Sequence, residues 1–398
     1  MIASARQLFN QQFSEQKYHA FVNDLDRQFN HKIPFRVAES PVFVSNEFKG
    51  KLLKAADDII DFIVQPDFKS LMSGALPAAL RVPHEDAHTL FLALDFAVCT
   101  EGVSSKLVPR LIEMQGFPSL FGYQDFLGNK FREHYQVPQN LDIHFGESSE
   151  KYWQRLRKAI VRDHDCENVI LLEIDPMKQN TAIDFLVTRH HLGIEPVHLG
   201  DIIIRSRKLF YKKNGIEVPV HRIYNRVIFD ELLGKPDLKT DFHLTEEVDV
   251  EWAGHPNWFY YISKYTMPFI KSDAIPDCRF LSDYASLPAD LENYVLKPLF
   301  SFSGSGVIFN VSESDILNIP SPEQKNYLLQ RKVHYEPVIQ APDGLVKTEI
   351  RLLFLWDEGE ARPVLITNLA RLSRGEMIGV KFNKDKTWVG GSVCFFEK

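Results

Sequence analysis

The sequence predicts a mixed α/β (α+β) protein, and three stretches carry that expectation. Val169-Ile-Leu-Leu-Glu-Ile-Asp175 is an apolar run with little alternation, the texture of a strand buried on both faces of a parallel sheet. A helical segment over about residues 179–191 follows, Gly193 supplies its C-cap, and Glu195-Pro-Val-His-Leu199 completes a βαβ unit. Alternating runs at residues 348–356, 363–372 and 392–396 predict antiparallel strands. A chain of 398 residues is too long for one simple core, so two or three domains are expected.

From the start of the chain, Phe21, Leu25 and Phe29 recur at helical spacing, and Leu52, Ala56, Ile59 and Ile63 form a second stripe. About three helices are expected there, broken at Pro34 and Pro41, covering a sheet or making a subunit contact such as a homodimer interface. Thr89-Leu-Phe-Leu-Ala-Leu-Asp-Phe-Ala-Val98 and Leu107-Val-Pro-Arg-Leu-Ile-Glu-Met-Gln-Gly-Phe-Pro-Ser-Leu120 read as neighbouring strands around a turn at Glu101-Gly102. Asp95, Glu113 and Gln115 sit inside these apolar runs, where an unpaired charge is costly. Two carboxylates and an amide oxygen are a donor set for Mg²⁺ beside phosphates; the competing reading is charge on the open face of a sheet.

After the βαβ unit, residues 201–212 predict an added hairpin. Val220-His-Arg-Ile-Tyr-Asn-Arg-Val227 predicts a strand with Asn225 and Arg226 at the C-terminal end, where ligands bind in open α/β sheets. No GxGxxG follows the first strand, which argues against a dinucleotide fold. Arg351 and Arg371 lie within apolar runs, and a buried arginine calls for an anion, either a carboxylate partner or a phosphate.

Tyr294-Val-Leu-Lys-Pro-Leu-Phe-Ser-Phe-Ser-Gly-Ser-Gly-Val307 predicts a hairpin with a lysine at its root and a Ser/Gly tip, resuming as a strand at residues 307–311. The backbone N–H groups of Ser303, Gly304, Ser305 and Gly306 could approach phosphate oxygens, with Lys297 adding charge. An ordinary hairpin with a solvated lysine reads this stretch equally well.

Composition narrows the function. A net charge of −7 argues against a nucleic-acid binder. Cys99, Cys166, Cys278 and Cys394 form no CxxC pair, as expected of reduced thiols in a cytoplasmic protein. The first residues lack the order of a signal peptide, and no apolar run is long enough to span a bilayer, so no membrane partner is expected.

Taken together, these stretches resemble the ATP-grasp superfamily, specifically its circularly permuted members related to glutathionylspermidine synthase and other carboxylate–amine ligases. Val295-Leu-Lys-Pro298 with Phe302-Ser-Gly-Ser-Gly-Val307 resembles the phosphate-grasping lysine strand and glycine-rich loop. Leu329-Gln-Arg-Lys-Val333 resembles the adenine hinge, with Arg331 where the family often has an acidic residue. Residues 201–227 resemble the domain that precedes the grasp, and Asn368-Leu-Ala-Arg371 with Lys384-Asp-Lys-Thr-Trp-Val389 resembles the C-terminal end. Asp95 and Glu113-Met-Gln115 resemble the metal strands, moved to the front; the familiar pattern is Glu, any residue, Asn, so Gln115 is a departure.

The resemblance implies a fold of four parts. Residues 1–160 would hold the N-terminal helices and permuted metal strands, and 161–250 a Rossmann-like pre-ATP-grasp domain. Residues 251–340 would form the nucleotide-binding lobe, and 341–398 the rest of the C-lobe. It implies an ATP- and Mg²⁺-dependent ligase acting on a small-molecule carboxylate and an amine through an acylphosphate. Lys264, Lys297 and residues 303–306 would hold phosphates; Gln330, Lys332 and Val333 would hold adenine, and Glu336 the ribose. Asp95, Glu113 and Gln115 would bind Mg²⁺, Asn225 and Arg226 the substrate, and Arg351 and Arg371 the transferring group. The alternative is a degenerate grasp fold that binds nucleotide or a partner protein without turnover, which Arg331 and Gln115 favour.

Overall fold

The computed structural model describes residues 1–102, 106–301, 305–376, 378 and 383–398. Two sheets position the site. The larger is antiparallel and runs Gly390–Ser392, Val364–Ser373, Gly344–Leu355, Phe91–Thr100, Leu107–Gln115, with Ile339–Ala341 pairing separately on Gly344–Leu355. It therefore joins strands from opposite ends of the sequence. The smaller, also antiparallel, runs Cys278–Phe280, Tyr327–Arg331, Tyr294–Pro298.

In the large sheet, side chains alternate between faces, so register decides what meets what. Asp95 lies opposite both Glu113 and Arg351, and Glu349 lies opposite Arg371. All five share one face. The other carries Leu94, Phe96, Ile350, Leu352 and Ala370, all fully buried. Helices Asn46–Ile63 and Phe121–His134 pack on this sheet. A β-bulge after Asp95 leaves Ile112 without a cross-strand partner.

The small sheet has its own core of Leu281, Tyr294, Leu296, Val311, Ile316 and Leu329. Its opposite face presents Lys297 and Gln330 toward Leu107–Gln115.

The βαβ expectation matches a four-stranded parallel sheet ordered Glu251–Ala253, Arg222–Asn225, Val169–Glu173, Glu195–His198, with helix Ala182–Leu192 ending at Gly193 in the left-handed region, φ 75°. The hairpin at 201–212 gains a third strand, Ile216–Val220. Three N-terminal helices form at Ala3–Gln12, Glu15–Gln28 and Asn46–Ile63. The four cysteines are free thiols. Among the described residues, no helix is long and apolar enough to cross a membrane.

Four expectations differ from the structure. Residues 307–311 form no strand: only Leu296 and Ile308 bridge, and the ladder partner of Tyr294–Pro298 is Tyr327–Arg331. The hinge-like stretch 329–333 is strand only as far as Arg331, beyond which Lys332 N–H donates to Asn293 and Glu336 N–H to Val98. Cys394–Glu397 leaves the large sheet to pair in parallel with Val42–Val44, because apolar residues such as Phe43 and Phe395 stack there. Helix Phe121–His134 went unpredicted, since it is buried around most of its circumference and shows no polar stripe.

Candidate active site

The charged face of the large sheet and the Lys297 face of the small sheet converge on one cleft. Arg351 donates through Nε and Nη2 to the two oxygens of Asp95, both at 2.6 Å, and Arg371 Nη2 donates to Asp95 at 2.8 Å. Arg371 also pairs with Glu349, which accepts from the Tyr335 hydroxyl at 2.7 Å. Glu113 accepts from the Gln115 amide at 2.8 Å and more loosely from Arg351 at 3.5 Å.

The lysines close the other side. Lys297 Nζ donates to the carbonyl of bulged Ile112 at 3.0 Å and to Gln330 Oε1 at 2.8 Å. Lys264, 9% exposed, donates to the Ser301 carbonyl at 2.9 Å. Burial alone would raise the Glu113 carboxyl, but Lys264, Arg371, Arg351 and Lys297 hold it down at about 2. Burial lowers Lys297 to about 8 against the pull of Glu113, and lowers Lys264 as well. Burial pushes the Asp95 carboxyl up from its ordinary value, and the guanidiniums of Arg351 and Arg371 oppose that rise. The centre is a dense lattice of fixed charge in low dielectric, where interactions with a bound anion are strong.

Two cavities flank it. One, of about 200 Å³, is lined by Glu113, Lys264, Arg351 and Arg371 at its charged part and by apolar side chains elsewhere. The other, of about 470 Å³, is lined by Cys99, Thr100, Arg110, Asn293, Lys332 and Val333.

The expected residues fall into three groups. Asp95, Glu113, Lys264, Lys297, Arg351 and Arg371 do assemble, joined by Gln115. Glu336 does not line the larger cavity but sits behind Thr100, which does and which donates to its carboxylate at 3.5 Å. Val333 lines that cavity, and its backbone N–H has no partner among the described residues.

Others are placed differently. Gln330 lies in the central strand, its backbone shared between two neighbours and its side chain holding Lys297, so it has no free hinge amide. Lys332 turns its ammonium to Asn310 at 2.9 Å and over the Phe309 ring. Asn225 is fully buried and ties its side chain to the backbone of Val227, a turn-holding role that leaves nothing for substrate. Arg226 donates to the Pro118 carbonyl at 2.7 Å and lies over Phe117, behind the smaller cavity's wall. Ser305 and Gly306 form an exposed turn; Gly306 has φ 69°, and a Cβ there would meet Pro298 Cγ at 2.9 Å. Ser303 and Gly304 lie outside the described residues.

Asp95, expected as a metal ligand, has its carboxylate engaged by two guanidiniums, and among the described residues no three His, Cys, Asp or Glu side chains gather as a metal cage. Glu113 presents a carboxylate that suits Mg²⁺ bound by one carboxylate together with phosphates, while Gln115 turns its amide N–H toward Glu113, so its oxygen could join only after the amide rotates. Glu349 was missed, although it stands two positions before Arg351 inside the same apolar run, the spacing that puts both on one face. The bulge that frees the Ile112 carbonyl has no sequence signal.

No family model matches the sequence, and no curated protein does. The fold is similar to that of a glutathione synthetase-like effector from Globodera pallida, solved in its apo form. That match covers 90% of this chain and 94% of the other, with a TM-score of 0.58 and 9% sequence identity. At that identity the likeness is one of fold.

Proposed function

We propose that the chain is an ATP- and Mg²⁺-dependent ligase that joins a carboxylate to an amine through an acylphosphate, on a circularly permuted ATP-grasp fold. The observation that carries this reading is the cluster of Glu113, Lys264, Lys297, Arg351 and Arg371 between two antiparallel sheets, one of them built from both ends of the chain. The glutathione synthetase-like fold supports it.

Val333 receives the base in the larger cavity, with Glu336 behind Thr100 at the ribose, and this directs the phosphates along Leu107–Gln115 toward the cluster. Lys297 and Lys264 neutralise phosphate oxygens. Lys297 must exchange its bond to the Ile112 carbonyl for one to phosphate. Glu113, with Gln115 once its amide has turned, would hold Mg²⁺, and the ion would supply further neutralisation of the phosphate oxygens. Arg351 and Arg371, aimed by Asp95 and Glu349, brace the transferring phosphoryl group. A substrate carboxylate oxygen attacks the γ-phosphorus, the bond to the β–γ bridging oxygen breaks, and ADP leaves. An amine then attacks the acyl carbon, inorganic phosphate departs with the C–O bond electrons, and the amine gives its proton to solvent.

A second reading, nucleotide or partner-protein binding without turnover, draws on the saturation of Asp95 by two arginines. ADP release from ATP and Mg²⁺, measured with panels of carboxylic acids and with amines or hydroxylamine as acceptor, separates the two. Acid-dependent ADP release supports the ligase. ATP binding with no ADP release under any acid supports the second reading.

A further inference from the structure

We infer that the 200 Å³ cavity takes a small apolar monocarboxylic acid, aromatic or branched, its carboxylate at the Lys264–Arg371 end and its hydrocarbon body against the apolar wall. The identity of this acid as the acyl substrate rests on the ligase reading; its binding does not.

The apolar lining is built by Phe117, Leu120, Phe259, Ile262, Leu299 and Phe300. Charged lining among the described residues is confined to Glu113, Lys264, Arg351 and Arg371. A second charge held at the apolar end, out of reach of these four groups, would be buried without a partner, a cost of several kcal/mol that disfavours ligands charged at both ends, such as long dicarboxylates and polyamines. The Ser119 and Thr181 hydroxyls also line the cavity, but they offer hydrogen bonds and no counter-charge.

At the polar end, two groups await an anion. Lys264 has three ammonium donors and spends one on Ser301 among the described residues. Arg371 carries a buried Nε–H with no partner among the described residues. Size agrees: an apolar cavity of about 150 Å³ accepts benzene, so about 200 Å³ suits a ring or branched chain bearing one carboxylate.

Calorimetric titration of the full chain without nucleotide tests this, using benzoate and 3-methylbutanoate against succinate and glutamate. The two apolar acids are expected to bind at least about tenfold more tightly. Ser119→Trp, outside the charged cluster, should fill the cavity and weaken benzoate about tenfold or more with the melting temperature retained. Should that variant fail to fold, Phe259→Ala is expected to enlarge the cavity and shift preference toward naphthoate. Equal or tighter binding of succinate or glutamate, or no binding of either apolar acid, overturns the assignment. Benzoate binding with no ADP release from any acid tested in ATP, Mg²⁺ and hydroxylamine sinks the ligase reading and leaves the cavity assignment standing. Glutamate-dependent ADP release with none from benzoate does the reverse.

Discussion

Arg351 grips both carboxylate oxygens of Asp95 across adjacent antiparallel strands whose register sets the two residues directly opposite. Asp95 is 1% exposed, and Arg371 shares the same carboxylate. Removing Asp95 leaves the buried Arg351 with only a loose contact to Glu113 at 3.5 Å, while the partly exposed Arg371 keeps Glu349. Asp95→Ala is therefore expected to cost about 3–5 kcal/mol of stability, read as a lowered denaturant midpoint with unchanged m-value. A metal ligand with no structural role would leave apo stability nearly intact.

Lys297 is the phosphate contact whose loss should separate binding from folding. Lys297→Ala removes a charge-assisted bond of about 1.5–3 kcal/mol, so ATP affinity should fall roughly 10- to 100-fold. Because burial already penalises this ammonium, the variant should melt no lower than the parent. Lower melting with unaltered ATP affinity would make the lysine structural.

Glu113 and Gln115 are expected to diverge on mutation. Glu113→Gln removes the carboxylate that four cations face, and Mg²⁺-dependent ATP turnover should disappear. Gln115→Asn shortens a neutral amide by one methylene and should be tolerated. A Glu113→Gln protein with parental turnover would refute the metal role.

Glu173 should shape the pH dependence of stability. Its carboxyl, 5% exposed at the end of a parallel strand, is pushed up to about 8 by burial, from 4.5 in the open chain. Between those values the folded state holds a proton that the unfolded state has lost, so stability falls as pH rises from about 4.5 to 8. Glu173→Gln keeps the side chain's size and cannot ionise. At pH 8 it should exceed the parent by on the order of several kcal/mol, with no such gain near pH 4. A parallel shift at both pH values would contradict the cause.

Most elements were legible because local pattern suffices where a segment has one wet face. The stripe of helix Asn46–Ile63 identifies itself in this way, and the strand Val169–Glu173, buried on both faces, does so by an unbroken apolar run. Helix Phe121–His134 did not, since burial on nearly all sides erases the polar stripe that reports helical period. Individual charged residues were legible for a similar reason: Asp95, Glu113, Arg351 and Arg371 stand out inside apolar runs, where each must find a partner.

Which partner each finds was decided only by tertiary structure. Asp95 and Arg351 are 256 positions apart, and nothing local says that their strands are neighbours or in what register. A shift of one residue would turn Arg351 away and bring Ile350 or Leu352 to the charged face. The same pairing gave Asp95 to two arginines, left the Ile112 carbonyl free for Lys297, and turned Gln330 from hinge to lysine support. The sequence by itself determined that buried charges exist and must be compensated, because desolvation cost belongs to the residue. Compensation belongs to geometry at a few ångströms, which only the folded chain specifies.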